Sequence, residues 1–129
     1  MAPDIGVPES VLRFIELNID TVPQLETLLM LSQEDSRDWL VEEVAARNYI
    51  TEQRAVEILE VLRRRGLVSS EDAPRRFRFN PANPETRELV REVGRHYQKN
   101  LSYIATSIHS KPSAPVKEFA RAFDLKKDR

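Results

Sequence analysis

Hydrophobic residues recur at intervals of three and four along most of this chain, the spacing that places them on one face of an α-helix. The pattern predicts six helical segments, and hence a mainly α-helical fold. The apolar faces contain, in order along the chain, Val11, Leu12, Ile15 and Ile19; Leu25, Leu28 and Leu29; Leu40, Val44 and Ala45; Ala55, Ile58, Leu59 and Leu62; Val90, Val93, Tyr97, Leu101, Ile104 and Ile108; and Val116, Phe119, Ala120 and Phe123.

The predicted helix boundaries rest on residues that favour helix ends. Pro23 suits the first turn of the second helix, and the hydroxyl of Thr51 can accept from the free amides at the start of the fourth. Gly66 stands where a left-handed residue would end the fourth helix. Asn48 is expected to end the third in the same way, since asparagine tolerates positive φ.

A short hairpin is predicted after the fourth helix. Leu67 and Val68 form a first strand, residues 69–74 a polar turn, and residues 75–79 the return strand. Phe77 and Phe79 alternate with arginines in that return strand, so both phenylalanines should lie on one face of the hairpin.

The fifth helix is predicted to run unbroken from Pro84 to about Ser110. Its apolar residues are spaced 3, 4, 4, 3 and 4, close to a coiled-coil seam. Such a seam belongs either to the core or to a contact between two copies. Because the terminal helices are the only spare cover for so long a helix, we expect a homodimer built from them. Gly94 in the seam would allow close helix approach, or would weaken the helix.

Composition narrows the class of protein. The 129 residues suit a single domain, with an N-terminal extension over 1–21, a core over 22–80 and a C-terminal helical part over 81–129. The absence of cysteine excludes disulfides and thiolate chemistry, and we expect a cytoplasmic protein. No secretory signal or membrane-spanning run is visible in the sequence.

Charge is divided unevenly along the chain. Residues 1–62 contain 4 Lys and Arg against 13 Asp and Glu, a net charge of −9, whereas residues 63–129 contain 16 against 8, a net of +8. The two sum to the overall −1, and the sign changes at Arg63. This asymmetry indicates either an anionic partner for the second half or two surfaces that attract each other within the fold.

The order of helix, short helix, tight turn, capped helix and hairpin is that of a winged helix-turn-helix. The residues that carry the resemblance are Glu43-Val44-Ala45-Ala46-Arg47, the turn Asn48-Tyr49-Ile50-Thr51, Ala55-Val56, Leu59, Leu62 and Gly66-Leu67-Val68. They are similar to the pattern of bacterial winged-helix regulators. The helices before and after this core resemble the MarR-type (multiple-antibiotic-resistance regulator) plan.

That resemblance implies a DNA-binding transcriptional regulator. Its recognition helix, about residues 52–65, would enter the major groove, and its hairpin would be a basic wing on the phosphate backbone or in the minor groove. Gln53 and Arg54 would read bases, and one glutamate such as Glu57 could accept from cytosine. The implied DNA-binding residues are Thr51, Gln53, Arg54, Glu57, Arg63, Arg64, Arg65, Arg75, Arg76 and Arg78.

Other interpretations of the same residues remain open. The arginines could be a solvated helix end, where cations favour the helix dipole, and a polar strand face. The carboxylates of Glu52, Glu57 and Glu60 on the outer face of the recognition helix favour a winged-helix module that binds proteins instead of DNA.

Nothing in the sequence indicates an enzyme. His96 and His109 lack partners at metal-ligand spacing, and no nucleophile elbow, phosphate loop or paired-acid site is present. We therefore expect no cofactor and no metal, and the resemblance described above implies double-stranded DNA as the partner. Trp39 and Tyr49 are expected to pack around the helix-turn-helix core.

Overall fold

The computed structural model describes residues 6–109, so the predicted last helix over residues 116–123 lies outside the described residues. This part of the chain is mainly helical, as the periodicity predicts. Its elements are α1 Glu9–Asn18, α2 Val22–Gln33, β1 Trp39–Leu40, α3 Val41–Asn48, α4 Glu52–Arg64, β2 Val68–Asp72, β3 Arg76–Phe79, α5 Pro84–Lys99 and α6 Leu101–His109.

Helix α2 lies at the centre of the fold and packs against α3, α4, α5, α6 and β3. Its residues Leu25, Leu28 and Leu31 are completely buried. Burial of one such side chain contributes about 1.5–3 kcal/mol to folding. The helix begins where the sequence predicts, since the Thr21 hydroxyl accepts from the Gln24 amide at 3.2 Å and Pro23 occupies the first turn.

The predicted two-stranded hairpin is confirmed as β2 and β3, and a short strand that the sequence does not predict, β1, extends it to a three-stranded antiparallel sheet. The strand order is β1-β3-β2, and β1 pairs Trp39 with Phe77. A two-residue strand is too short to show an alternating pattern, which is why the sequence gives no sign of it. Trp39, Phe77 and Phe79 are buried together in the core, which confirms that the two phenylalanines share a face.

The turn between α3 and α4 differs from the prediction at one residue. Tyr49, with φ of 56° and ψ of 43°, adopts the left-handed conformation expected of Asn48. The Asn48 side-chain amide instead donates to the hydroxyl of the buried Thr27 on α2 at 3.2 Å. Thr51 caps α4 as predicted, because its hydroxyl accepts from the Arg54 amide at 3.0 Å.

The predicted long helix is divided at Asn100, where the backbone leaves helical geometry with φ of −128°. The Asn100 side-chain amide donates to the carbonyl of His96 at 3.4 Å, an alternative to continuing the helix. Ile104 and Ile108 beyond the break are buried, whereas Leu101 is 51% exposed. The apolar spacing continues across the break, so the pattern hides it.

Gly94 lies where α5 packs against α2. A Cβ atom built on Gly94 would lie 3.5 Å from Cδ2 of Leu29, an ordinary van der Waals contact. The position therefore has room for a methyl group.

We expect Gly94→Ala to raise the free energy of unfolding by about 0.5–1 kcal/mol, because alanine is the better helix former and its methyl group fits. Urea unfolding followed by circular dichroism measures the change. A lower free energy of unfolding for Gly94→Ala than for the wild type would contradict the proposed fit.

The first turn of α3 is held by Glu43. Its carboxylate accepts from the Leu40 amide at 3.1 Å and pairs with Arg37 at 2.5 Å. The hydrogen bond from Leu40 is the main cause that lowers the pKa of Glu43 below its ordinary value of 4.5, and the charge of Arg37 adds to it. The ionised carboxylate therefore stabilises the start of the helix-turn-helix.

Because the folded-state pKa of Glu43 is depressed, its stabilisation is present above about pH 4.5 and is lost as pH falls through the folded-state pKa. We expect Glu43→Gln to reduce Tm at neutral pH and to flatten the decline of Tm between about pH 5 and pH 3. Glu42→Gln, an exposed neighbour in the same turn, is the control and should keep the wild-type profile. Parallel profiles for wild type and Glu43→Gln would refute the assignment.

Candidate nucleic-acid interface

Helix α4 has one buried face and one exposed face. Ala55, Leu59 and Leu62 are completely buried, as the sequence predicts, because they pack in the core beneath the sheet and α2. The outward side chains are Glu52, Gln53, Arg54, Glu57, Arg63 and Arg64. Among the candidate residues, Thr51, Gln53, Arg54 and Glu57 thus form an accessible N-terminal half of the helix.

Two arginines of α4 are paired with glutamates of the same helix. Arg54 lies 3.6 Å from Glu57, and Arg63 lies 2.7 Å from Glu60, in both cases one turn apart. Exposed pairs of this kind stabilise a helix by only a few tenths of a kcal/mol, so a competing phosphate could displace the carboxylate. In the free protein their charges are compensated.

Arg65 is directed into the protein and not outward. Its guanidinium donates to the Asp20 carboxylate at 2.8 Å and to the Asn18 carbonyl, and its side chain is 27% exposed. The contact joins the C-terminal end of α4 to the segment between α1 and α2. The sequence groups Arg65 with Arg63 and Arg64, but the structure separates it from them.

Arg78 on β3 forms a double hydrogen bond with Asp38, with both N–O distances 2.9 Å. This contact lowers the pKa of the Asp38 carboxyl below its ordinary value, and the charge of the neighbouring Arg76 adds to the effect. Asp38 directly precedes β1, so the pair links the edge strand to β3 in the same sheet. A residue 40 positions away could not be recognised as the partner from local pattern.

Three of the candidate arginines form no ion pair in the described part of the chain. Within residues 6–109 the guanidinium groups of Arg64, Arg75 and Arg76 form no ion pair with a carboxylate, and all three residues are exposed. Arg75 lies in the turn of the hairpin and Arg76 begins β3. Arg64 ends α4, four residues before β2 begins at Val68.

The sequence predicts that Tyr49 packs around the helix-turn-helix core, and that prediction is wrong. Its side chain is 95% exposed. Trp39, in contrast, is 1% exposed, and the guanidinium carbon of Arg37 lies over its ring, 3.7 Å from the ring centroid. The positive φ of Tyr49 turns the chain directly into α4. A tyrosine in a tight turn carries no local signal that distinguishes packing from exposure.

A cavity of about 730 Å³ lies between α2 and α5, next to Gly94. At its edge the Tyr97 hydroxyl donates to the Glu26 carboxylate at 3.2 Å. Burial and the negative charge of Glu26 raise the pKa of Tyr97 to about 12. The sequence gives no residue that would have located this cavity.

The described residues contain no group of three His, Asp or Glu side chains that could hold a metal ion. Between residues 6 and 109, no helix has both the length and the hydropathy needed to cross a membrane.

Comparison with known proteins gives similarity in structure only. No protein-family model and no curated protein matches the sequence. The fold is similar to that of SPO1453, a MarR family transcriptional regulator from Silicibacter pomeroyi, with 19% identity, TM-score 0.50, 89% of this chain and 84% of that chain covered. It is also similar to a MepR variant from Staphylococcus aureus bound to an oligodeoxyribonucleotide, with 18% identity, TM-score 0.51 and coverage of 92% and 84%.

A ZitR double mutant from Lactococcus lactis gives 16% identity, TM-score 0.51 and coverage of 92% and 90%. The similarity in each case extends over most of both chains, so it includes the helices that flank the winged core. Identities this low establish the fold alone. The chain has the MarR-like winged helix-turn-helix plan that its sequence predicts.

Proposed function

We propose that this protein is a DNA-binding transcriptional regulator and not an enzyme. Helix α4 would lie in the major groove, and the β2–β3 hairpin would rest on the phosphate backbone or in the minor groove. The observation that carries the proposal is that Arg64, Arg75 and Arg76, on the end of α4 and on the hairpin, are exposed and form no ion pair within the described residues.

In this proposal the candidate residues have different roles. Gln53, Arg54 and Glu57 are exposed on the first two turns of α4, where side chains can reach base edges. Arg64, Arg75 and Arg76 would bind phosphates, together with Arg63 once it leaves Glu60 and Arg78 once it leaves Asp38. Arg65 keeps a structural role in this scheme because it is engaged with Asp20.

The fold supports the proposal in one further way. MepR, to which this fold is similar, is bound to an oligodeoxyribonucleotide in the structure compared here. In that kind of fold an exposed helix and a neighbouring hairpin are available together, so one copy of this chain can contact the groove and the flanking backbone at once.

The acidic side chains of α4 favour a second candidate function. Glu52 and Glu57 are exposed on the helix, and Glu57 and Glu60 already compensate two arginines. Exposed carboxylates facing phosphates weaken DNA binding, although Glu60, predicted on the outer face, is only 25% exposed and has one buried carboxylate oxygen. A winged-helix module that binds a basic protein surface would use the same face without that penalty.

We further propose that two copies associate through the terminal helices. The largest exposed apolar side chains apart from Tyr49 are Leu17 on α1 and Leu101 and Tyr103 on α6. The rest of the predicted seam, including Val90 and Ile104, is buried within one copy. The contact would therefore rest on α1 and α6 and not on the full seam.

We expect Arg75→Ala/Arg76→Ala to weaken binding to a random 30-base-pair duplex at least tenfold at low salt, roughly 1.4 kcal/mol or more. Because two phosphate contacts are lost, the slope of log Kd against log salt should fall by about 2. Fluorescence anisotropy over a salt series measures both quantities.

The matched control is Arg91→Ala/Arg95→Ala, which removes the same charge from exposed arginines of α5. It should keep most of the affinity and the wild-type salt slope. Undetectable binding by the wild-type protein at low salt, or equal losses in the two double variants, would reject the DNA interface and leave the protein-binding module as the better description.

Sedimentation velocity tests the proposed association. We expect a dimer at tens of micromolar for the wild type, and a monomer for Leu17→Asp/Leu101→Asp, because a charge at each position would be desolvated in the contact. Tyr49→Gly, which removes an exposed aromatic ring elsewhere, should remain dimeric. A wild-type monomer at that concentration would disprove the contact.

A further inference from the structure

The tyrosine in the turn before the recognition helix combines two unfavourable properties. Tyr49 is 95% exposed, more than any other large apolar side chain described, and it adopts φ of 56°. Left-handed backbone is strained for residues other than glycine, with asparagine and aspartate the next best tolerated. Among the described residues the Tyr49 hydroxyl forms no hydrogen bond.

Fold stability does not account for this residue. A glycine at position 49 would adopt the same backbone without strain, and an exposed ring gains almost nothing from burial. Asn48, one position earlier, is a residue type suited to the left-handed conformation, yet it does not adopt it. The aromatic side chain at this position is thus unexplained by the contacts within one copy of the chain.

The turn holds Tyr49 in a fixed place relative to α4. The backbone amide of Ile50 donates to the Ala45 carbonyl at 3.0 Å, and the side-chain amide of Asn48 donates to the Thr27 hydroxyl at 3.2 Å. Two residues after Tyr49, Thr51 caps α4. The ring therefore stands on a well-supported turn immediately before the exposed first turn of the helix.

We propose that Tyr49 contacts the DNA backbone, an inference that rests on the proposed function. In helix-turn-helix docking the N-terminal residues of the recognition helix reach base edges, and the turn before it lies beside the flanking phosphates. The Tyr49 hydroxyl would donate to a phosphate oxygen, and the ring would cover the adjacent deoxyribose. Tyrosine is among the side chains that make such contacts, which fix register without reading sequence.

The chemistry of a phenol gives this contact a distinctive signature. Tyr49 is uncharged, so its loss releases no additional counterion and leaves the salt slope unchanged. An arginine lost from the hairpin lowers that slope. A backbone contact also weakens binding to all sequences alike, whereas a lost base contact acts on one base pair.

The test compares Tyr49→Gly and Tyr49→Phe with wild type in duplex binding and thermal unfolding. We expect Tyr49→Gly to bind about five- to tenfold more weakly at every salt concentration, with Tm equal to or above wild type because the strain is removed. Tyr49→Phe keeps the ring and should lose about threefold or more through the missing hydroxyl.

Tyr103→Phe is the matched control, since it removes the hydroxyl of an exposed tyrosine on α6 and should bind as wild type. Wild-type affinity for Tyr49→Gly, with the Arg75→Ala/Arg76→Ala effect intact, would overturn the Tyr49 contact alone. Absence of DNA binding by the wild type would overturn the proposed function and this contact with it. If Tyr49→Gly were to lower Tm, Tyr49→Phe would decide the question, because it preserves the ring.

Discussion

Burial of α2 is the interaction on which the remaining architecture depends. Leu25, Leu28 and Leu31 are fully enclosed because α3, α4, α5, α6 and β3 all pack on this one helix. Loss of one of these leucine side chains would cost about 2–5 kcal/mol, a large fraction of the stability of a small domain. Helix α2 packs against the buried face of α4 and thereby fixes the orientation of α4. The direction of the exposed face of α4 is fixed by the same packing.

Ion pairing sorts the arginines into two groups that the sequence cannot separate. Arg65 and Arg78 are tied to carboxylates from distant parts of the chain, whereas Arg75 and Arg76 on the hairpin are not paired within the described residues. The acidic N-terminal half of the chain therefore compensates part of the basic C-terminal half within the fold, through Asp20 and Asp38. The explanation by attraction within the fold therefore holds in part, and Arg75 and Arg76 are left for the anionic partner proposed above.

Structural features that depend on neighbouring residues could be predicted from the sequence. Features that depend on pairing between residues far apart in the chain could not. The caps at Thr51 and Gly66 and the alternation at Phe77 and Phe79 are confirmed because each depends on neighbouring residues. Strand β1 and the partners of Arg65 and Arg78 depend on residues 36 or more positions away, so periodicity gives no information about them. The division at Asn100 is hidden because the apolar spacing continues through it.

For the candidate site, the exposure of the α4 residues could be predicted from the sequence, but the inward direction of Arg65 and the exposure of Tyr49 could not.

The contact of Arg65 with Asp20 has a mechanical consequence. It binds the C-terminal end of α4 to the segment that joins α1 to α2. This segment is therefore connected to α4 by a polar contact as well as through the core. If two copies associate through α1, as proposed above, this polar contact would lie between the dimer contact and the C-terminal end of α4 in each copy.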